Sequence, residues 1–203
     1  MNYKAMNRIA VFTGTRAEYG LMKHLIKSIN DDKELELQLI VSGSHLSKFH
    51  GETVNEILKD GIEPKAYIPI SLDKDPPKSM AFLSAEVIIG LEKFINNLKP
   101  NLLILLGDRY ETFAVAATMH LMNIPVAHIH GGETTLGAVD DKLRHAITQL
   151  SSWHFTAAEA YKNKVISMGI SEKRVFQFGP MILDGIRRNK YITKNNFEKI
   201  TGY

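Results

Sequence analysis

Short apolar runs alternate along the chain with longer stretches in which apolar positions recur every three or four residues. The short runs predict strands over 8–13, 36–41, 66–69, 102–106, 126–129, 154–156 and 175–178. Several of them, the run from Leu102 to Leu106 above all, are apolar on both faces, as a parallel strand covered on both sides must be. Between the strands, helices are predicted over 19–29, 52–59, 79–98, 111–122, 140–151 and 158–168. In the first of these, Leu21, Leu25, Ile26 and Ile29 fall on one face. Strand–helix alternation throughout predicts right-handed βαβ units and an α/β fold built on a doubly wound parallel sheet.

Turn chemistry agrees. Lys99-Pro100-Asn101 ends a helix just before the 102–106 strand, because the residue before proline is pushed out of helical space. Asn123-Ile124-Pro125 repeats the device, and Met168-Gly169-Ile170 reads as a helix ending on a left-handed glycine. Residues 73–78, with two prolines, read as a mobile loop. Residues 181–188 read as a further helix, and 189–203 as a polar, lysine-rich tail with no strand. Neither internal repeats nor low-complexity tracts occur.

With 203 residues the chain fits one domain with a sizeable core, and the start of another. A formal charge of +3, evenly spread, does not suggest a nucleic-acid groove. There is no cysteine, which excludes disulfides, thiolate metal sites and cysteine nucleophiles. The first apolar stretch is too short for a secretory signal, and the longest is far short of a membrane span. The expectation is a soluble, cytoplasmic protein.

In an open parallel sheet, ligands bind beyond the carboxyl ends of the strands. Unusual polar residues gather at three such ends. GTRAEYG, Gly14 to Gly20, follows the first strand. Gly14 permits a tight turn, the next helix offers backbone N–H groups suited to phosphate, and Arg16 adds a charge of bidentate geometry. The segment lacks the GxGxxG fingerprint and the P-loop lysine. The plainer reading is a turn in which Arg16 and Glu18 pair with each other or with solvent. LLGDRYE, Leu105 to Glu111, ends an apolar strand on Asp108. That residue reads either as a helix N-cap or as a general base, with Arg109 beside it to favour its ionised form or to hold a diphosphate.

The third segment runs from His128 to Ser151, HIHGGETTLGAVDDKLRHAITQLS. Strand alternation places His128 and His130 on the same side of the backbone. Gly131-Gly132 allows close approach to a ligand, Glu133 follows, and a glycine-bearing loop leads to Asp140-Asp141 at a helix start. Arg144 is spaced to pair with either aspartate along the helix, and His145 lies one turn from Asp141. Such helical pairs are commonly structural, contributing about 0.3–0.5 kcal/mol. His128, His130, Glu133 and Asp140 are metal-ligand types, but their spacing matches no zinc signature, so no metal is expected. His45 sits at another strand end and is placed in the same cleft. His24, His50, His120 and His154 read as structural, and Trp153 with the Tyr and Phe residues as core members.

Five segments in this order, GTRAEYG, GSHL (Gly43 to Leu46), LLGDRYE, NIPVAHIHGGETT and DDKLRHAITQLS, resemble the hydrolysing UDP-N-acetylglucosamine 2-epimerases of sialic-acid biosynthesis. The resemblance runs from about Arg8 to Gly179. It implies one Rossmann-like half of a GT-B-type, two-domain architecture, with residues 1–180 as the N-terminal domain and 181–203 as a hinge or the start of a C-terminal domain that supplies much of the UDP site. The implied reaction eliminates UDP with loss of the C2 proton, then adds water at C1 and a proton at C2 to release N-acetylmannosamine. By motif position the resemblance assigns Asp108, Glu133 and Asp140 to proton transfer. It assigns Arg16 and Arg109, with Glu18, Gly20 and His45 around them, to the nucleotide sugar. Arg144 and His145 shape the site. Many relatives read HIEGGE where this chain has HIHGGE, which leaves open whether His130 or Glu133 does that acid's work. No cofactor is implied. The implied partner is a UDP-sugar, with no nucleic acid or membrane, and a homodimer follows from the family habit.

Relatives acting on UDP-diacetamido-bacillosamine share these motifs, so the sugar is an open alternative. A non-catalytic nucleotide-sugar-binding domain is another. A GT-B glycosyltransferase does not explain so many carboxylates on one rim, and a dinucleotide oxidoreductase would need the missing GxGxxG and its downstream acid.

Overall fold

A computed structural model of the chain describes residues 7–135, 139–188 and 193–202. The glycine-bearing loop expected through Gly137, and residues 189–192 of the expected hinge, lie outside the described residues. Seven parallel strands form one sheet: β1 (Asn7–Thr13), β2 (Leu35–Ser42), β3 (Ala66–Ile68), β4 (Leu102–Leu106), β5 (Val126–Ile129), β6 (Trp153–Thr156) and β7 (Val175–Gln177). Their order is β3-β2-β1-β4-β5-β6-β7. The chain winds outward from β1 to β3, crosses back, and winds outward again from β4 to β7. The doubly wound, Rossmann-like sheet expected from the sequence is therefore present, and its topological switch point falls between β1 and β4.

The helices are α1 (Arg16–Asp31), α2 (Val54–Lys59), α3 (Met80–Leu98), α4 (Tyr110–Leu121), α5 (Val139–Leu150), α6 (Glu159–Ser167), α7 (Ile182–Arg188) and α8 (Lys194–Thr201). α1 begins three residues before the apolar pattern predicts, because Thr15 and Glu18 form a capping box that satisfies the first free amides. Gly43–Leu46 is a 3-10 turn that the pattern did not show. α8 was not expected either. Thr193 caps it, Gly202 ends it at φ +74°, and its side chains are largely exposed. Among the described residues no helix is long and apolar enough to cross a membrane.

Two apolar clusters sandwich the sheet. One packs Phe12, Ile40, Leu103 and Leu105 against α3, α4 and α5 through Leu91, Val115 and Ile147. The other packs Val11, Leu39, Ile104 and Ile129 against α1 and α2 through Met22, Ile26 and Ile57, and takes in Met181 just before α7. Full burial of each such side chain contributes about 1.5–3 kcal/mol. The second face is covered less completely toward β6 and β7. Trp153, Phe176 and Phe178 are 41%, 44% and 51% exposed there, contrary to their expected place in the core. An apolar cavity of 490 Å³ opens on this face, lined by Leu25, Ile104, Ile129, Phe155 and Met181. Asp108, Glu133 and Asp140 do not line it.

Candidate active site

The C-terminal edge of the sheet gathers the polar segments that the sequence singled out. Gly107 follows β4 at φ +88° and turns the chain so that Asp108 sits on the rim ahead of α4. From α5, Arg144 reaches across to Asp108 and donates through Nη2 to Oδ2. The same nitrogen lies 3.3 Å from the Thr135 hydroxyl. The sequence suggested that Arg144 pairs with Asp140 or Asp141 along its own helix. Instead its side chain is 8% exposed and turned inward, where Asp108 is the available counter-charge. Asp141 takes His145 at 3.7 Å and the Thr135 backbone N–H at 2.9 Å. Arg144 Nε and Nη1 are buried with no hydrogen-bond partner among the described residues. A buried cation with unmet donors suits an anionic ligand better than a purely structural pair does.

Glu133 follows β5 on the same rim. His130 Nδ1 lies 3.1 Å from its Oε1, and this hydrogen bond is the largest influence holding the Glu133 carboxyl below the ordinary carboxylate range. Burial opposes the shift, while the positive charge of Arg144 assists it. Asp140 is half-exposed in the first turn of α5. Asp108 and Glu133 thus follow neighbouring strands β4 and β5, and both feel the Arg144 guanidinium, Asp108 through a direct hydrogen bond and Glu133 through its charge.

His128 and His130 do not share a side. His128 is fully buried, its Nε2–H donating to the Gly107 carbonyl at 2.8 Å and its Nδ1 3.2 Å from the Thr148 hydroxyl of α5. Burial pushes it down to about 3, so it is neutral in the fold. His130 lies just past the strand at φ +66°, where alternation no longer applies, and its ring turns toward Met181 on the opposite face. A left-handed histidine costs on the order of 1–2 kcal/mol. Gly132, at φ +82°, carries the loop against α6 so closely that a Cβ would stand 2.4 Å from the Tyr161 carbonyl oxygen.

At the end of β1 the expected nucleotide residues divide. Arg16 is exposed, pairs with Glu56 of α2 at 3.0 Å, and lines a 770 Å³ cleft with Gly20, Leu21, Met181 and Ile186. Glu18 points inward. Its Oε2 accepts from the Gly14 and Thr15 N–H groups at 2.7 and 3.1 Å, so the turn amides just before α1 are already bonded. Burial lifts Glu18 to about 7, and the neighbouring charge of Glu111 adds to this. His45 is fully buried in a side-chain bridge, with Nε2 2.9 Å from Thr13 Oγ1 and Nδ1 2.8 Å from Thr53 Oγ1. Burial pushes it down to about 4. Arg109 does not hold Asp108. It makes a two-pronged pair with Glu111 at 3.2 and 3.1 Å.

Three contributors escaped the sequence reading. Glu111 is 1% exposed and anchors Arg109; its place in the GDRYE segment was its only signal. Thr135 and Met181 join the network through contacts that no sequence spacing announces. Among the described residues no group of three or more His, Asp or Glu side chains could hold a metal ion.

Residues 27–202 match the family described as UDP-N-acetylglucosamine 2-epimerase. The chain is 39% identical over 198 residues to the UDP-N,N'-diacetylbacillosamine 2-epimerase (hydrolyzing) of Legionella pneumophila, a match covering 98% of this chain and 52% of that protein. It is 34% identical over 179 residues to the UDP-N-acetylglucosamine 2-epimerase of Neisseria meningitidis serogroup B, covering 88% of this chain and 46% of that one. The crystal structure of UDP-GlcNAc 2-epimerase from Neisseria meningitidis bound to UDP-GlcNAc has the same fold, with a TM-score of 0.78 at 24% identity, covering 97% of this chain and 51% of that chain. The chain spans about half the length of the curated relatives it matches.

Proposed function

The chain belongs to the UDP-N-acetylglucosamine 2-epimerase family, and on that premise we propose that it is the N-terminal half of a hydrolysing 2-epimerase acting on a UDP-linked 2-acetamido sugar. One observation carries the reading: Asp108 and Glu133, from the turns after the neighbouring strands β4 and β5, both meet the buried Arg144 guanidinium, the first by a direct hydrogen bond and the second through its charge.

That arrangement suits a reaction in two stages. A carboxylate removes the C2 proton, the C1–O bond breaks, and UDP departs with the electron pair, leaving a 2-acetamidoglycal. Water then adds at C1 and a proton returns to C2 from the other face, releasing the free sugar with C2 inverted. Two proton carriers and a cation for developing negative charge are the minimum the chemistry needs. Asp108 and Glu133 fill the first role, with Asp140 of α5 as a further candidate, and Arg144, two of whose nitrogens have no partner among the described residues, fits the second. Arg16, on the open cleft beside α7, is placed for the diphosphate. Arg109 can join it only by leaving Glu111.

The test is UDP release and deuterium incorporation at C2 from UDP-N-acetylglucosamine in D2O. It is run on the 203-residue chain and on the same chain joined to the C-terminal half of the Legionella pneumophila relative. The joined protein is expected to turn over and the short chain to release little UDP. Robust release by the short chain would refute the half-enzyme reading, and a joined protein that neither exchanges nor releases UDP from UDP-N-acetylglucosamine or from UDP-N,N'-diacetylbacillosamine would refute the reaction.

A second reading changes only the sugar. Identity is higher to the Legionella pneumophila relative, at 39%, than to that of Neisseria meningitidis serogroup B, at 34%, which favours UDP-N,N'-diacetylbacillosamine. Comparing kcat/KM on the two sugars separates the readings.

A further inference from the structure

The chain leaves β5 through His130 at φ +66°, although a glycine stands at the next position. Strain placed on a side chain when glycine is adjacent calls for a constraint that the side chain itself satisfies. The backbone N–H of His130 donates to the Phe155 carbonyl at 2.9 Å, which fixes the turn. The imidazole then reaches two groups at once. Its Nε2 lies 3.4 Å from the Met181 backbone nitrogen, and its Nδ1 lies 3.1 Å from Glu133 Oε1.

A backbone N–H can only donate, so Nε2 is the acceptor. A neutral imidazole with Nε2 unprotonated carries its proton on Nδ1, which donates to Glu133. A carboxylate at this position would accept from Met181 but repel Glu133, whereas imidazole offers a donor on one edge and an acceptor on the other. Met181 is itself fixed. Its side chain is 3% exposed within the cluster beneath α1, and it leads into α7, which packs on α1.

We propose that His130 is a positioning residue that bridges Glu133 to Met181, so that the placement of the segment running from β7 into α7 sets the placement of the acid on the β5 rim. It acts through Glu133 and touches no reacting atom. The inference rests on Glu133 being a proton-transfer group, but the bridge can be tested without turnover. A displacement of Met181 by about an ångström would carry the longer of the two contacts beyond hydrogen-bonding range and free the ring to turn away from Glu133.

The experiment compares the wild type with His130→Gly and His130→Asn by NMR, in the 203-residue protein labelled with 15N and with 13C at the glutamate carboxyls. Glycine adopts φ +66° freely, so this variant keeps the turn while losing both bonds. Asparagine also tolerates the left-handed region and keeps a donor near the Nδ1 position, but it falls short of Met181. In the wild type the ring is expected as the Nδ1–H tautomer, with the Glu133 titration midpoint below the ordinary range. His130→Gly should move that midpoint upward and shift the Met181 amide resonance. His130→Asn should shift the Met181 amide while leaving the midpoint low. An Nε2–H tautomer in the wild type, or an unmoved Glu133 midpoint in His130→Gly, would overturn the bridge.

In the joined protein, His130→Gly should lower kcat about tenfold or more with KM little changed, and should move the acid limb of the pH–rate profile to higher pH. An unmoved acid limb overturns the positioning role. Failure of the unaltered joined protein to release UDP would count against the reaction alone and leave the NMR result to decide the bridge.

Discussion

Arg144 and Asp108 stand 36 residues apart in sequence, yet they form a charge-assisted hydrogen bond on the rim of the sheet. The bond joins the helix after β5 to the turn after β4, the strand beside the topological switch point. It holds a carboxylate beside a guanidinium two of whose nitrogens have no partner among the described residues. Breaking it should affect stability and chemistry differently, according to which partner is changed.

Arg144→Met should destabilise the fold by about 2–3 kcal/mol. That is less than the roughly 3–5 kcal/mol for fully buried pairs, because the Asp108 side chain keeps 20% of its exposure and can be hydrated. Urea denaturation measures this. Asp108→Asn keeps the shape and an acceptor, so it should cost stability less while lowering turnover of the joined protein by about 10²–10⁴. Normal turnover by Asp108→Asn would remove the aspartate from the reaction.

His45 should behave as a strut. With both ring nitrogens engaged by threonine hydroxyls, that of Thr13 fully buried, His45→Ala leaves Thr13 and Thr53 without this partner and opens a cavity. It is expected to lower stability by about 2–3 kcal/mol. Calorimetry on the folded variant should find UDP affinity unchanged. A clear loss of affinity with normal stability would restore it to the ligand site.

Two glycines should respond in opposite directions. A Cβ on Gly20 meets nothing within 4 Å, and the residue lies inside α1, so Gly20→Ala should raise stability by about 0.5–1 kcal/mol. Gly132→Ala combines a left-handed φ with contact against the α6 backbone, and should lower it by at least about 1 kcal/mol. Melting curves of the two variants give the signs directly.

Acid should weaken the fold. Burial pushes His45, His128 and His154 down to about 4, 3 and 4, against an ordinary value of 6.5. As pH falls through 6.5 the unfolded chain takes up protons that the folded chain refuses until about 4. Stability held above 6.5 is therefore lost across that window. Glu18 works the other way. Lifted mainly by burial from 4.5 to about 7, it favours the folded state as pH falls between those values. Three histidines outweigh one glutamate, so the urea midpoint should drop from pH 7 to pH 5, and drop more steeply in Glu18→Gln. A flat profile would show that the histidines are not held neutral.

Several local readings from sequence were displaced by contacts across the fold. Arg144 was matched to aspartates on its own helix because i,i+3 and i,i+4 spacing is all a sequence displays. Turned inward, it found Asp108 of the neighbouring loop. Arg109 lies beside Asp108 in sequence, but the start of α4 leaves it facing Glu111. His128 and His130 were placed together by strand alternation, which ends where His130 adopts a positive φ. Glu18 was read with the ligand, yet helix capping drew it inside.

What the order of residues determined was the alternation of elements, because apolar periodicity follows from which face each element must bury. It also determined that the polar segments would stand at the carboxyl ends of β1, β4 and β5, since each follows its strand directly. Which acid meets which base was decided only by tertiary structure. Pairing energies at a rim depend on burial and on distances between loops tens of residues apart, and the packing of α1, α5 and α7 on the sheet sets both.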